Sequence, residues 1–438
     1  MEEQKKHIQG TPTVSKVLSD GRILEIIYQP EERKTMFAIY QDGSITFEES
    51  VDADNTRLIP ISPLNNLLKH KVVLLPEEPV SYESVELLIK DIQAYLYRYV
   101  DLSDEFLRIA SCYILLTWVY DAFNELPYLR LRGDYGSGKT RALLVIGSVC
   151  HKAFFASGAS TVSPIFHILD TFRGTLIFDE ADFRFSDEKA ELVKIFNNGN
   201  VRGFPVLRTA ITQKREFDPR AFMVYGPKIV AMRNSFEDQA LESRFITEEM
   251  GQRSLRKDIP INLPEEQKEE AQRLRNKLLL YRFQTLPHVR INKTLVDPSL
   301  SPRLNQILVP LLSIIEDETL KNEIRDAAHG LEKELRAEKS AAPEGELLEV
   351  LMELISDAKR PHIPLSEITS LFIERHGADY ERPITSRYIG HLLRKRLRLH
   401  AYKSHGVYVL PLTEQPKIEV LCKRYGISME PLNGGEDI

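Results

Sequence analysis

The sequence predicts an α/β chain: a parallel sheet with flanking helices, a small β-rich stretch before it, and a helix-and-hairpin segment after it. Three observations carry this. Strand-like and helix-like runs alternate from Tyr128 to about Thr247, the signature of a sheet with parallel strands. Short runs rich in β-branched and aromatic residues fill Thr11 to Val73. Three helical patterns followed by two short strands occupy Glu346 to Leu410.

The first stretch is expected to be a small β-rich domain over residues 1–78. "RILEIIY", "TMFAIYQ" and "SITFEESV" are its strands, and "QPEER" and "QDGS" its turns. Leu74–Ser81 is a linker, and residues 79–126 form a helical segment leading into the sheet. Within it "FLRIASCYILLTWVY" (Phe106–Tyr120) is apolar but shorter than the ~20 residues of a membrane span, and it carries Arg108. A buried helix is expected there, with no membrane partner.

The 438 residues are 42% hydrophobic and 28% charged, enough for a sizeable core. A net charge of -6 excludes a chain that is basic all over, so any nucleic-acid contact needs a local basic surface. Cys112, Cys150 and Cys422 lie far apart, which excludes a cysteine-rich zinc site and argues against a disulfide framework. The N-terminus "MEEQKKHIQG" has no apolar core of a signal peptide. A reducing, cytoplasmic setting is expected.

"YLRLRGDYGSGKTRALLVIGS" places a strand, a glycine-rich bend and a helix in succession. Gly133, Gly138, Lys139 and Thr140 match G-x-x-x-x-G-K-[ST] without departure. Glycines let the backbone wrap phosphates with its N–H groups inward, and the following helix N-terminus attracts anions. Gly133, Asp134, Tyr135, Gly136, Ser137, Gly138, Lys139, Thr140 and Arg141 are therefore the expected nucleotide-binding loop. Lys139 suits the β/γ oxygens and the Thr140 hydroxyl suits Mg²⁺.

"GTLIFDEAD" (Gly174–Asp182) is an apolar strand ending in carboxylates. At the carboxyl end of a strand Asp179 suits Mg²⁺, while Glu180 suits the general base that polarises the attacking water. No N-K-x-D base-reading motif is present, since "NKTL" lacks the carboxylate, so ATP is preferred to GTP. "PKIVAMRNSF" reads as another buried strand, with Asn234 at its end to orient the lytic water. Arg244 follows in "ALESRFITEEM".

This order of motifs resembles the AAA+ ATPases, and within them the MCM helicases and MCM-like replication proteins of mobile elements. "GDYGSGKT" is similar to the MCM phosphate loop, "IFDEAD" to its Walker B motif, and "LESRF" to its arginine-finger stretch. "SPRLNQILVPLL" resembles the lid helix carrying the sensor-2 arginine. The resemblance covers roughly Pro127 to Ile315. It implies an AAA+ core over 127–255 and a helical lid over 256–340, with Arg244 as the finger donated to a neighbouring subunit and Arg303 contacting nucleotide phosphate from the lid. It also implies a homo-oligomer, most simply a hexamer. MCM proteins carry a longer N-terminal region with an OB-fold and often a zinc site; the dispersed cysteines here cannot build one.

Between Walker B and Asn234, "NNGNVRGFPVLRTAITQKREFDPRAFMVYG" holds Arg202, Phe204, Lys214 and Arg215 among β-rich runs. Related helicases place a pore-facing hairpin in this interval, where these residues would grip a phosphate backbone. An ordinary solvated hairpin or a subunit contact fits equally well.

"SAAPEG" marks a boundary, after which residues 345–412 read as a winged helix and 413–438 as a loose tail. From Arg382 to Lys403 there are seven Lys/Arg and no Asp or Glu. Arg387, Arg394, Lys395 and Lys403 are the candidate DNA contacts, the first on the helix near the groove and the last on the wing. A protein-contacting winged helix is the competing reading. The leading function is an ATP-driven ring that moves along or unwinds DNA in replication. The runner-up is an initiator or regulator that ATP switches without processive unwinding, and the third is a protein-remodelling machine.

Overall fold

This computed structural model describes residues 10–53, 55–179, 187–209, 219–236, 238–356, 360–380 and 382–427. The chain divides into two compact units, Met1–Ala327 and Ala328–Ile438.

The first unit opens with β1 (Thr11–Thr13), β2 (Ser15–Val17), β3 (Ile23–Gln29), β4 (Lys34–Gln41), β5 (Ser44–Glu48), β6 (Val51–Ala53) and β7 (Thr56–Pro60). They pair as a four-stranded antiparallel sheet in the order β2-β3-β4-β5 and a three-stranded sheet in the order β1-β7-β6. Leu18, Leu24, Phe37, Ile39, Val51 and Leu58 close a small core between them. Val14, Ile26 and Ile61 instead join the same apolar cluster as Tyr128, Phe154 and Phe166, so these strands share their packing with the rest of the unit.

After α1 (Asn66–Lys69) come α2 (Val85–Tyr99) and α3 (Asp104–Val119). Helix α3 is buried from Ile109 to Val119 because it is apolar on every side. Its N-cap Ser103 is held by Glu248, whose carboxylate accepts from the Ser103 N–H and hydroxyl, both at 2.7 Å. Among the described residues no helix is long and apolar enough to cross a membrane.

The central layer runs β8 (Tyr128–Arg132), α4 (Lys139–Gly147), β9 (Phe154–Ser157), α5 (Val162–Phe172), β10 (Leu176–Asp179), α6 (Asp187–Gly199), the hairpin strands β11 (Val206–Arg208) and β12 (Arg220–Phe222), β13 (Lys228–Met232), α7 (Gln239–Glu242) and β14 (Phe245–Glu249). Its five-stranded sheet has the order β14-β8-β13-β10-β9, parallel throughout. Numbered within the sheet, that order is 5-1-4-3-2. Helices cover its faces, so strands such as β13 are buried at every position and read as unbroken apolar runs.

Helix α8 (Glu265–Thr285) was expected to open a lid. It packs along α2 and α3, and its Arg275 donates to the Ser148 carbonyl just beyond α4 at 2.5 Å. Arg282 of α8 enters a buried ionic cluster: its Nε meets Glu25 of β3 at 2.7 Å, and its Nη atoms pair with Asp121 at 2.8 and 2.7 Å. Lys152 and His151 reach the other Glu25 oxygen at 3.3 and 3.4 Å. Helices α9 (Pro302–Leu312) and α10 (Glu318–Ser340) follow, and the division between the units falls within α10.

The second unit contains α11 (Pro343–Ser356), β15 (His362–Pro364), α12 (Leu365–His376), α13 (Ser386–His391), β16 (Tyr402–Ser404), β17 (Val407–Pro411) and α14 (Gln415–Tyr425). The strands form an antiparallel sheet in the order β15-β17-β16. His405 and Gly406, at φ of 47° and 88°, make the two-residue turn between β16 and β17, a geometry with both central φ positive. Helix α13 continues into a π-helical turn over Leu392–Arg396. Helix α14 corrects the expected tail: its Ile418 and Cys422 are fully buried among Leu347, Leu351 and Leu410, and Gly426 ends it in the left-handed region. The i, i+4 pair of apolar residues supplies the burial that a tail lacks.

The ionic cluster fixes two measurable properties. Removing one partner strands the others' charge in the interior, so Glu25→Ala should cost about 3–5 kcal/mol in denaturant unfolding. Burial, reinforced by the Lys152 and Arg282 charges, pushes His151 down to about 3 from 6.5. Between those values the unfolded chain takes up a proton that the folded chain refuses, so stability should fall as pH drops through this window. Burial opposes the Glu25 charge, but Arg282 and Lys152 override it and hold the carboxyl well below 4.5, which adds to acid lability in the same direction. His151→Gln should flatten the slope between pH 6.5 and 4.

Candidate nucleotide site

Three strands deliver the site residues to one edge of the sheet. Strand β13 lies between β8 and β10, and all three run the same way. The loop after β8, Asp179 at the end of β10 and Asn234 just past β13 therefore share the carboxyl edge. Glu180 lies outside the described residues.

The loop is shaped by close approach. At Gly133, φ is 155°, and a Cβ would lie 2.5 Å from the Met250 carbonyl oxygen, so no larger residue fits. Gly138, at φ 90°, caps α4 and turns the chain into the helix whose first N–H groups face the loop. Lys139 Nζ donates to the carbonyls of Gly133 (2.7 Å) and Asp134 (2.6 Å), folding back over the loop it serves. Ser137 Oγ donates to Asp134 O at 2.8 Å.

Thr140 Oγ1 donates to Asp179 Oδ2 at 2.7 Å. This joins the two candidate metal ligands, 39 residues apart in sequence. A hydroxyl and a carboxylate oxygen beside a phosphate loop are the donor set a hard divalent cation takes, so the residues fit Mg²⁺. Tyr135 is exposed, and the Arg233 guanidinium lies 3.5 Å from its ring centroid. Arg141, expected among the nucleotide contacts, points elsewhere: its guanidinium donates to the carbonyls of Pro260 (2.5 Å) and Ile261. It ties the segment after β14 to α4.

Arg244 sits at the opposite edge. Its carbonyl accepts from Tyr128 N at 2.9 Å, at the start of β8, whereas the phosphate loop follows the end of β8. Five residues of strand span about 13 Å between first and last Cα. Arg244 therefore cannot reach the loop of its own chain. Its guanidinium bonds Asn200 Oδ1 (2.9 Å), Asn197 Oδ1 (2.8 Å) and Ala240 O (2.5 Å). Burial and the neighbouring Arg303 charge lower its pKa.

Arg303 stands with Arg244. It lies beside Arg244, close enough to Glu125 for that charge to act on it, and its Nη1 donates to Gln306 at 3.0 Å. It is at the Arg244 edge, away from the phosphate loop of its own chain. Helix order alone does not say which edge of the sheet a lid residue faces.

The hairpin strands β11 and β12 pair from Val206↔Phe222 to Arg208↔Arg220, and Lys214 and Arg215 lie outside the described residues. Arg202 is already engaged, donating to Asp121 O at 2.5 Å and lying 5.2 Å from the Tyr225 ring centroid. Phe204 and Leu207 are exposed. In the second unit Arg387, Arg394, Lys395 and Lys403 are all exposed. Arg394 Nε donates to Gly390 O at 3.0 Å, and its guanidinium lies 5.1 Å from the Tyr408 ring centroid. Lys403 is the cross-strand partner of Tyr408, so Arg394, Tyr408 and Lys403 form one outward-facing basic and aromatic strip.

Sequence reasoning missed Met250, which closes against Gly133, and the Asn197–Asn200 pair that holds Arg244. The run "NNGN" at the end of α6 was the signal for the pair.

No protein-family model and no curated protein matches the sequence. Among solved structures, the chain is similar to the apo C-terminal region of NrS-1, at 11% identity and a TM-score of 0.38, over 89% of this chain and 96% of that one. It is also similar to Cdc6p from Pyrobaculum aerophilum, at 12% identity and a TM-score of 0.23, over 76% and 98%. A third likeness is to the Aeropyrum pernix ORC1 protein in complex with DNA, at 13% identity and a TM-score of 0.20, over 74% and 93%. At these scores the likenesses carry no functional weight, and the chain's own residues must.

Proposed function

We propose that the chain is an AAA+ ATPase that assembles into an MCM-like hexameric ring and couples ATP hydrolysis to movement along, or unwinding of, DNA in replication. One observation carries the reading. In a parallel sheet ordered 5-1-4-3-2, the phosphate loop and Asp179 stand at one edge while Arg244 stands at the other. A copy whose loop edge meets the Arg244 edge of the next gains an arginine that it cannot supply itself.

Chemically, Lys139 exchanges its two loop carbonyls for β/γ-phosphate oxygens. Thr140 and Asp179 hold Mg²⁺, which when bound supplies charge neutralisation across the phosphates. Glu180 takes the proton of the attacking water, and Asn234 orients that water. The permanently charged fork of Arg244, from the neighbouring copy, meets charge developing on the γ-phosphate, and Arg303 beside it adds to the same field.

The second unit supports the DNA-binding part. Its order of α11, β15, α12, α13, β16 and β17 with one antiparallel sheet supports reading it as a winged helix. The strip of Arg394, Tyr408 and Lys403 continues the basic run onto the wing, and phosphate contacts are its natural use.

Steady-state hydrolysis without DNA, with single strands and with duplex tests the reading, using Glu180→Gln as the blank. Stimulation by single strands and displacement of a forked duplex are expected; slow turnover indifferent to DNA, with tight duplex binding, would make the chain an ATP-switched initiator instead. Lys139→Ala should abolish turnover. Arg244→Ala should lower it on the order of 10³-fold while nucleotide still binds. Arg387→Ala and Lys395→Ala should each weaken DNA binding and reduce its salt slope by about 1, read by anisotropy across a salt series.

A further inference from the structure

We infer that Asn197 and Asn200 are positioning residues for Arg244, fixing its guanidinium plane so that Nη2 stays free for the phosphate of a neighbouring copy. This rests on the trans role of Arg244 proposed above.

The planar fork of an arginine is immobilised when acceptors bind two of its three nitrogens. Asn200 Oδ1 takes Nε at 2.9 Å and Asn197 Oδ1 takes Nη1 at 2.8 Å, with Ala240 O on Nη1 at 2.5 Å. Nη2 has no hydrogen-bond partner among the described residues. The two asparagines are three residues apart at the end of α6, so they present their amides to one side.

Each acceptor is itself fixed. Asn197 Nδ2 donates to Asp238 Oδ2 at 3.1 Å, which turns its oxygen toward Arg244. Asp238 is anchored in turn, its Oδ1 accepting from Ala240 N at 2.9 Å. Asn200 is fully buried, and its carbonyl accepts from Leu126 N at 2.9 Å. Among the described residues the buried Asn200 Nδ2 has no hydrogen-bond partner.

The choice of amides matters. A carboxylate at either position would form an ion pair with Arg244 and compete with a phosphate for it. Amide oxygens hold the group and leave its charge undiminished. Asp238 is close enough for its charge to act on Arg244, but its hydrogen bond goes to Asn197. With the Arg303 charge alongside, an unclamped Arg244 would swing outward, away from its like-charged neighbour.

Subunit mixing tests this. A Lys139→Ala donor keeps its finger and cannot hydrolyse; an Arg244→Ala acceptor keeps its loop and has no finger. Their mixture should recover turnover. Adding Asn197→Ala and Asn200→Ala to the donor should reduce that recovery on the order of 10²-fold, the cost of a misplaced catalytic group. The same pair in the acceptor, which has no finger to hold, should leave recovery as it was. Asn200→Asp in the donor keeps the contact and the fold, seen as unchanged or raised thermal stability, yet should also depress recovery. Retention of ADP–aluminium fluoride by the mixture should follow the same order. Equal losses in donor and acceptor, full recovery with the donor variants, or full recovery with Asn200→Asp would each overturn the positioning role. No recovery in the parent mixture would instead overturn the trans reading of Arg244, and the inference with it.

Discussion

The pairing of β8 between β13 and β14 is the constraint on which the chemistry depends. Its C-terminal end launches the phosphate loop, and its N-terminal end is bonded to the backbone of Arg244. Because the strand is stiff and buried on both faces, the two cannot approach each other by any local adjustment. In the function proposed above, this spacing makes a single chain half of a catalytic arrangement. Arg130, buried within the strand, pairs with Glu242 at 2.6 Å and bonds Thr247 at 3.0 Å, locking β14 and the end of α7 to it.

Charge inside the unit is spent on alignment too. The Glu25–Arg282–Asp121 cluster links the N-terminal sheet, the end of α3 and α8 through a buried Glu25–Arg282 pair and a partly exposed Asp121. An ion pair of this kind adds little over a well-packed apolar contact but penalises every arrangement that separates its members. Lys228 plays a similar part at the start of β13, capping the carbonyls of Val224 and Gly226, both at 2.9 Å. Full burial drives its pKa far below the usual lysine range, as desolvation of an unpaired cation must.

The phosphate loop, the carboxylate of β10 and the order of the central elements were legible in the sequence because their chemistry restricts residue type. Only glycine tolerates the approach of Met250 to Gly133, and only a strand-end carboxylate lies where Thr140 can meet it. The partners of Arg244 were not legible, since Asn197 and Asn200 lie 47 and 44 residues away and meet it only once α6 and β14 are folded. Arg141 was misplaced for a related reason: a motif gives the residue, while packing decides what it faces. Helix α14 was hidden by the polar residues around it, although Ile418 and Cys422 repeat at helical spacing.

The shared core of the N-terminal strands has a mechanical consequence. Val14, Ile26 and Ile61 are in one apolar body with Tyr128 and Phe154, and Glu25 is bonded to α8. These strands therefore cannot behave as a tethered arm that swings while the sheet stays still. Any displacement of β8 or α8 is carried directly into β2 and β3, which makes them a lever fixed to the sheet rather than an attachment on a hinge.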